Sequence, residues 1–231
     1  MAVLVATAVG VRRRRRWVFR ELEVVVEPAD VVAVVGPPGS GRTTALLALA
    51  GRFRLSEGAV CFPYAGGGAE NGEGAAGKGR RGAALGYVGG VSQPEPVLTV
   101  AEHVHERLAL LGRSGRLAAD VPLLGLDPGA RGWQLSPYER QVLGIVLALL
   151  ADPAVVALDG IDDGLDEDEQ NRLWAVVQDL AAAGIAVVVT GRRVDPGRVT
   201  TLVELSGQVA TLVELSGQVT TLVELSGRAA A

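Results

Sequence analysis

The chain has 231 residues, 48% of them hydrophobic and 21% charged. This is a globular composition that excludes disorder throughout and allows one main domain, or one with a small appendage. The formal charge of -4 is the wrong sign for a general nucleic-acid binder, whose phosphate contacts need a net or clustered positive surface.

The first segment, MAVLVATAVGV, precedes a run of arginines at residues 12–16. Apolar before basic is the reverse of a secretory signal, so no export signal is read, and the run is expected to be a solvated face beside a first strand. Residues 22–35 then give two Val-rich strands, LEVVV and DVVAVV, joined by a turn at Glu27, Pro28 and Ala29. A glycine-rich loop follows. After it, TTALLALA from Thr43 to Ala50 contains strong helix formers and no breaker before Gly51.

The loop reads Gly36-Pro37-Pro38-Gly39-Ser40-Gly41-Arg42-Thr43. It fits the phosphate-loop pattern GxxxxGK followed by Ser or Thr everywhere except the lysine, and it lies between a strand and a helix. Glycines there let backbone N–H groups turn inward around phosphate oxygens, and the helix start adds partial positive charge. Thr43 supplies a hydroxyl suited to Mg²⁺ beside a nucleotide, and Thr44 extends the cap. Arg42 keeps the positive charge, but a planar guanidinium cannot simply fill a lysine-shaped space, so weakened nucleotide binding is expected. The plain alternative is a tight glycine turn with no ligand.

Residues 65–82 are mostly Gly, Ala and charges and are expected to form a surface loop or a shortened connection. Cys61 is the only cysteine, so no disulfide forms within the chain and the cytoplasm is the simpler expectation. Helical spacing is read at residues 100–111 and 137–150, and buried strands at 155–158 and 185–189. Strands alternating with helices imply a mainly parallel sheet. The longest apolar run, residues 142–151, is about half of the ~20 residues that span a bilayer, so any membrane role is expected to come through a partner. His103 and His105 fall on different helix faces, and no zinc site is expected. The acidic residues 162–169 are expected to be a helix start in solvent. Three ten-residue copies, VTTLVELSGQ, VATLVELSGQ and VTTLVELSGR, begin at Val199, Val209 and Val219. They are expected to form a small meander or stacked hairpins, a duplicated terminal strand without function rather than a docking device, with Glu204, Glu214 and Glu224 guarding against edge aggregation.

Taken in order, VEPADVVAVVGPPGSGRTTALLALAG, LSPYERQVLGIVLALLADPAVVALDG and the later GLD resemble the ATP-binding cassette of ABC transporters over residues 18–193. The resemblance implies an α/β P-loop fold with a mainly parallel core sheet, an antiparallel β part and a helical subdomain at about residues 100–150. With the repeats set apart, the chain divides into a nucleotide-binding domain, 1–198, and the C-terminal repeats, 199–231. The resemblance assigns residues 36–44 to ATP, Thr43 and Asp159 to Mg²⁺, and Ser136 and Asp166 to contacts across a dimer. It also implies a second nucleotide-binding subunit, identical or different, and membrane permease domains that hold the pair at the inner face of the membrane. No role with nucleic acid is implied.

Against the family pattern, several positions are replaced. Gly160 stands where a glutamate polarises water, and neither Asp162 nor Asp163 is in register to replace it. Gly90 stands where a glutamine is expected, with Gln93 three positions late. Leu135-Ser136-Pro137-Tyr138-Glu139 occupies the LSGGQ position, where Pro137 removes a donor and Tyr138 is expected to crowd the phosphate approach. The plain alternative there is a helix start capped by Ser136, with Glu139 in the first turn. Gly191 stands where a histidine is expected. Trp17 is the candidate near the adenine position and is expected to serve packing instead. Together these imply slow or absent hydrolysis, with no complete composite site in either a homodimer or a mixed pair. The other reading is a decayed cassette with a structural or regulatory role and no nucleotide.

Overall fold

In the computed structural model, residues 1–63, 81–206 and 209–214 are described. The expected loop lies outside the described residues as far as residue 80, as does the third repeat.

Leu4–Arg13 (β1) and Arg16–Val26 (β2) form an antiparallel hairpin. Its tip is Arg14-Arg15, both left-handed at φ 47 and 68, a turn geometry that matches strand twist but is usually given to Asn and Gly. The arginines at 12–16 are all exposed, and the Arg12 guanidinium covers the Trp17 ring at 5.5 Å. Glu27 and Asp30 clip the next turn, with the Glu27 N–H donating to Asp30 Oδ2 at 2.7 Å. Val31–Val35 (β3) leads into the glycine loop, and Arg42–Leu49 (α1) leaves it.

Glu57–Cys61 (β4), Arg81–Leu85 (β5), Val100–Leu110 (α2), Pro137–Leu149 (α3), Pro153–Leu158 (β6), Glu167–Ala182 (α4), Ala186–Gly191 (β7), Thr201–Ser206 (β8) and Val209–Glu214 (β9) complete the elements in chain order. Among the described residues the strands form one sheet in the order β4-β1-β2-β9-β8-β3-β7-β6-β5. From β8 to β5 all neighbours are parallel, whereas β4, β1 and β2 are antiparallel, as are β8 and β9. The parallel core and antiparallel part are thus laid out as expected.

Alternation along the strands divides the core in two. In β3, Val32 and Val34 face a cluster with α1 and the β1–β2 hairpin, while Val31 and Ala33 face α3 and α4. In α1 every residue from Ala45 to Leu49 is buried, because the helix lies between the parallel sheet and β1. Each of its buried leucines contributes about 1.5–3 kcal/mol of apolar transfer. A separate cluster of Val104, Leu108, Val146 and Leu150 joins α2 to α3. Buried His103 serves this region, accepting the Glu95 N–H on Nε2 at 2.8 Å with Nδ1 2.7 Å from the Thr99 carbonyl.

The first repeat supplies β8, which pairs in parallel with β3 and buries Val203 and Leu205. Thr200 fastens its start, its hydroxyl donating to the Val31 carbonyl at 3.1 Å and accepting the Val31 N–H at 3.2 Å. The second repeat supplies β9, antiparallel to β8 and touching β2 at Arg20.

Candidate functional site

Strand β3, between β8 and β7, delivers Gly36 to its carboxyl end, and α1 starts at Arg42, so the loop between them is short and closed. Gly39 and Gly41 are left-handed, at φ 81 and 97, where a side chain adds strain. Gly36 is required by space instead, since a Cβ there would lie 2.8 Å from the Leu205 carbonyl of β8. Pro37 accepts the Ser40 N–H at 3.1 Å, and both prolines face solvent. Ser40 Oγ and Arg42 Nη1 are buried and have no hydrogen-bond partner among the described residues. Two donors left unmet beside a helix start are chemically matched to phosphate oxygens.

Thr43 faces the end of β6. Its hydroxyl donates to Asp159 Oδ2 at 2.8 Å, bringing together the two residues that the family resemblance assigns to Mg²⁺. Both offer oxygen, the donor type a hard divalent ion takes. Thr44 is half-buried in the first turn of α1. Asp159 is the hub of a wider network that the sequence did not reveal. Thr190 on β7 donates to Asp159 Oδ1 at 2.5 Å and accepts the Gly160 N–H at 2.9 Å. Gln141 on α3, 2% exposed, donates to the Asp159 carbonyl at 2.7 Å. The Asp159 N–H reaches the Tyr87 carbonyl at 3.2 Å. A lone Thr in a Val strand and a lone Gln on an apolar helix face were the signals available for the two side chains.

The replaced positions have their own geometry. Residues 88–92 close a tight turn with Gly90 at φ 73, and exposed Gln93 folds back to accept the Gly90 N–H at 3.2 Å. Ser136 caps α3 in a capping box with Glu139, at 3.2 and 2.8 Å, so the plain reading describes its local bonding. Tyr138 follows in the first turn of α3. Its ring is half-buried against the core and carries the Arg172 guanidinium at 4.6 Å. Asp166 caps α4 in a second capping box with Glu169. Beside Gly191, Asp162 Oδ2 accepts the Arg192 N–H at 2.8 Å. No helix among the described residues is long and apolar enough to cross a membrane.

Residues 19–161 match the ABC transporter family. The chain is 35% identical to the lipoprotein-releasing system ATP-binding protein LolD of Chromohalobacter salexigens, over 78% of each chain. It is 32% identical to the zinc import ATP-binding protein ZnuC of Alkalilimnicola ehrlichii, over 79% of this chain and 66% of that one. Among other curated relatives it spans about a third of a Streptomyces avermitilis ABC transporter ATP-binding protein, 34% of its length. In fold it is similar to an ATP-binding cassette solved as a dimer with ADP and phosphate, with a TM-score of 0.71 at 18% identity over 93% of this chain and 100% of that one. An ATP-binding subunit of an ABC transporter gives a TM-score of 0.69 at 17% identity, covering 96% and 90%. With a family match across most of its length and the cassette architecture around the glycine loop, this chain belongs to the ABC transporter family.

Proposed function

We propose that the chain is the ATP-binding subunit of an ABC transporter, holding Mg-ATP at residues 36–44 and turning it over slowly. The observation that carries this reading is the pair of buried, unpartnered donors, Ser40 Oγ and Arg42 Nη1, inside a loop whose glycines adopt left-handed backbone. Bound ATP would supply the phosphates these donors lack, and Mg²⁺ would be held by Thr43 and Asp159, which already meet at 2.8 Å. The slow rate follows from the residues at 90, 160 and 191, which are glycines with no side chain to position water or contact phosphate. Pro137 removes one N–H donor from the start of α3.

Ser136 and Asp166, both at helix starts, are the proposed contacts across a second nucleotide-binding subunit. A membrane permease is the proposed second partner, which would place the chain at the cytoplasmic face of a membrane. The repeats are proposed as a C-terminal extension whose first copy is shared with the nucleotide-binding domain.

The test is titration of the purified chain with a fluorescent ATP analogue and Mg²⁺, beside Arg42→Ala and Thr43→Ala. Saturable binding, weakened at least about tenfold by each change, is the expected result. No binding at about millimolar nucleotide by any of the three proteins leaves a structural cassette without nucleotide.

A further inference from the structure

Of the carboxylates around the end of β6, Asp163 is the one that shares a cleft with Asp159 and keeps an oxygen without a hydrogen bond from the described residues. Asp159 engages both oxygens with the hydroxyls of Thr43 and Thr190, and Asp162 Oδ2 accepts the backbone N–H groups of Arg192 and Arg193, while its Oδ1 is buried beside Gly191 without a partner among the described residues and off the cleft. Asp163 Oδ1 pairs with Arg192 Nη2 at 3.4 Å, while no hydrogen bond to its Oδ2 is made by the described residues. The Asp163 carboxylate lines the same cleft as Asp159, together with Tyr87, Arg140, Gln141 and Gly160. That cleft has a volume of about 280 Å³, room for several waters at roughly 30 Å³ each.

Two backbone features put the carboxylate there. Gly160 is left-handed at φ 62, and the Asp163 N–H donates to the Gly160 carbonyl at 2.9 Å, closing a turn over residues 160–163. A Cβ on Gly160 would stand 2.7 Å from Asp163 Oδ2. The space in which a side chain at 160 would begin is therefore filled by Asp163, and the glycine is what admits it.

We infer that Asp163 is the general base of the slow ATP hydrolysis, an assignment that rests on the nucleotide reading above. One proton of a cleft water passes to the Asp163 carboxylate as the water oxygen bonds to the terminal phosphorus. The bond from that phosphorus to the bridging oxygen breaks, and ADP leaves with that oxygen, giving ADP and inorganic phosphate. Arg192 pairs with Oδ1, and Oδ2 lies beside Gly160, which lines the same cleft.

Asp163→Asn keeps the side-chain shape and removes the base. The full chain is compared with this variant in phosphate release, in binding of Mg-ADP, and in binding of Mg-ADP with aluminium fluoride, which mimics the phosphoryl group in transfer. Release is expected to fall at least about tenfold and the aluminium fluoride complex to weaken at least about tenfold, with Mg-ADP affinity within about twofold. Asp163→Glu restores part of both losses. Equal release and equal fluoride-complex affinity in Asp163→Asn overturn the assignment and leave nucleotide binding standing. Mg-ADP binding by the unsubstituted chain with no phosphate release overturns the base alone, and absence of Mg-ADP binding removes both readings.

Discussion

Thr190→Val removes a hydroxyl and adds a methyl at a position 1% exposed, in a strand that already contains Val187, Val188 and Val189. Shape and strand propensity are kept, so the change isolates two hydrogen bonds. One is charge-assisted, to Asp159 Oδ1 at 2.5 Å, and the other receives the Gly160 N–H at 2.9 Å. Losing the first costs about 1.5–3 kcal/mol, and leaving the buried N–H without an acceptor adds about 1–3 kcal/mol. Half-exposed Asp159 recovers part of this through water, and the buried methyl returns about 0.8 kcal/mol. The net expectation is a destabilisation of about 2–4 kcal/mol. For a chain of this size that lowers Tm by about 4–16 °C. Urea unfolding followed by circular dichroism measures it, provided the slope with denaturant is unchanged. Thr190→Ser keeps the hydroxyl and should cost only about 1 kcal/mol. A Val variant within about 0.5 kcal/mol of the unsubstituted chain, or a Ser variant less stable than the Val one, refutes the network.

Gly39→Ala meets open space and costs the backbone strain alone, about 1 kcal/mol, while Gly41→Ala also drives a Cβ to 2.5 Å from Val18 Cγ1 and costs about 2 kcal/mol or more. Urea midpoints in the opposite order contradict the loop geometry. Leu205→Ala empties a site that is 2% exposed and is expected to lose about 2–5 kcal/mol, with half-buried Leu212 losing less than half as much. Equal losses at the two would show that β8 is no more part of the core than β9. The Glu102 carboxyl is held below its ordinary range chiefly by the backbone N–H of Thr99, with the Thr99 hydroxyl adding to the effect. Because the folded chain binds this proton less tightly than the unfolded chain, the contribution is full above the ordinary carboxylate range and is lost as pH falls through the folded value. Glu102→Gln should therefore flatten stability against pH below about pH 5 and leave the slope near neutrality unchanged, which urea midpoints at a series of pH values would check.

The glycine loop could be read from the sequence because strand, loop and helix are consecutive there, and each carries a local signal. The pairing of Thr43 with Asp159 was legible only through the family resemblance, since 116 residues separate them. Thr190 and Gln141 escaped for a related reason. Nothing local to either residue says that β7 lies beside β6 or that α3 crosses the end of β6, so their partners 31 and 18 residues away were hidden. The contacts of Tyr138 were hidden in the same way, since its ring packs on the core and under Arg172 of α4, 34 residues away. The repeats gave strands from β propensity alone, and a hairpin from their Ser-Gly turns. That β8 pairs with β3 was beyond reach, because three nearly identical copies offer the same pattern to any neighbour.

The strand that lies beside β3 and the glycine loop is written in tandem. Val203 and Leu205, which fill the core from β8, recur in sequence as Val213 and Leu215, and again as Val223 and Leu225. Removing one copy shortens the chain by ten residues and brings the same apolar sequence to the register of β8. The copies differ at the clasp. Thr200 becomes Ala210 in the second and Thr220 in the third, so a single hydroxyl on Val31 separates the better replacement from the poorer one.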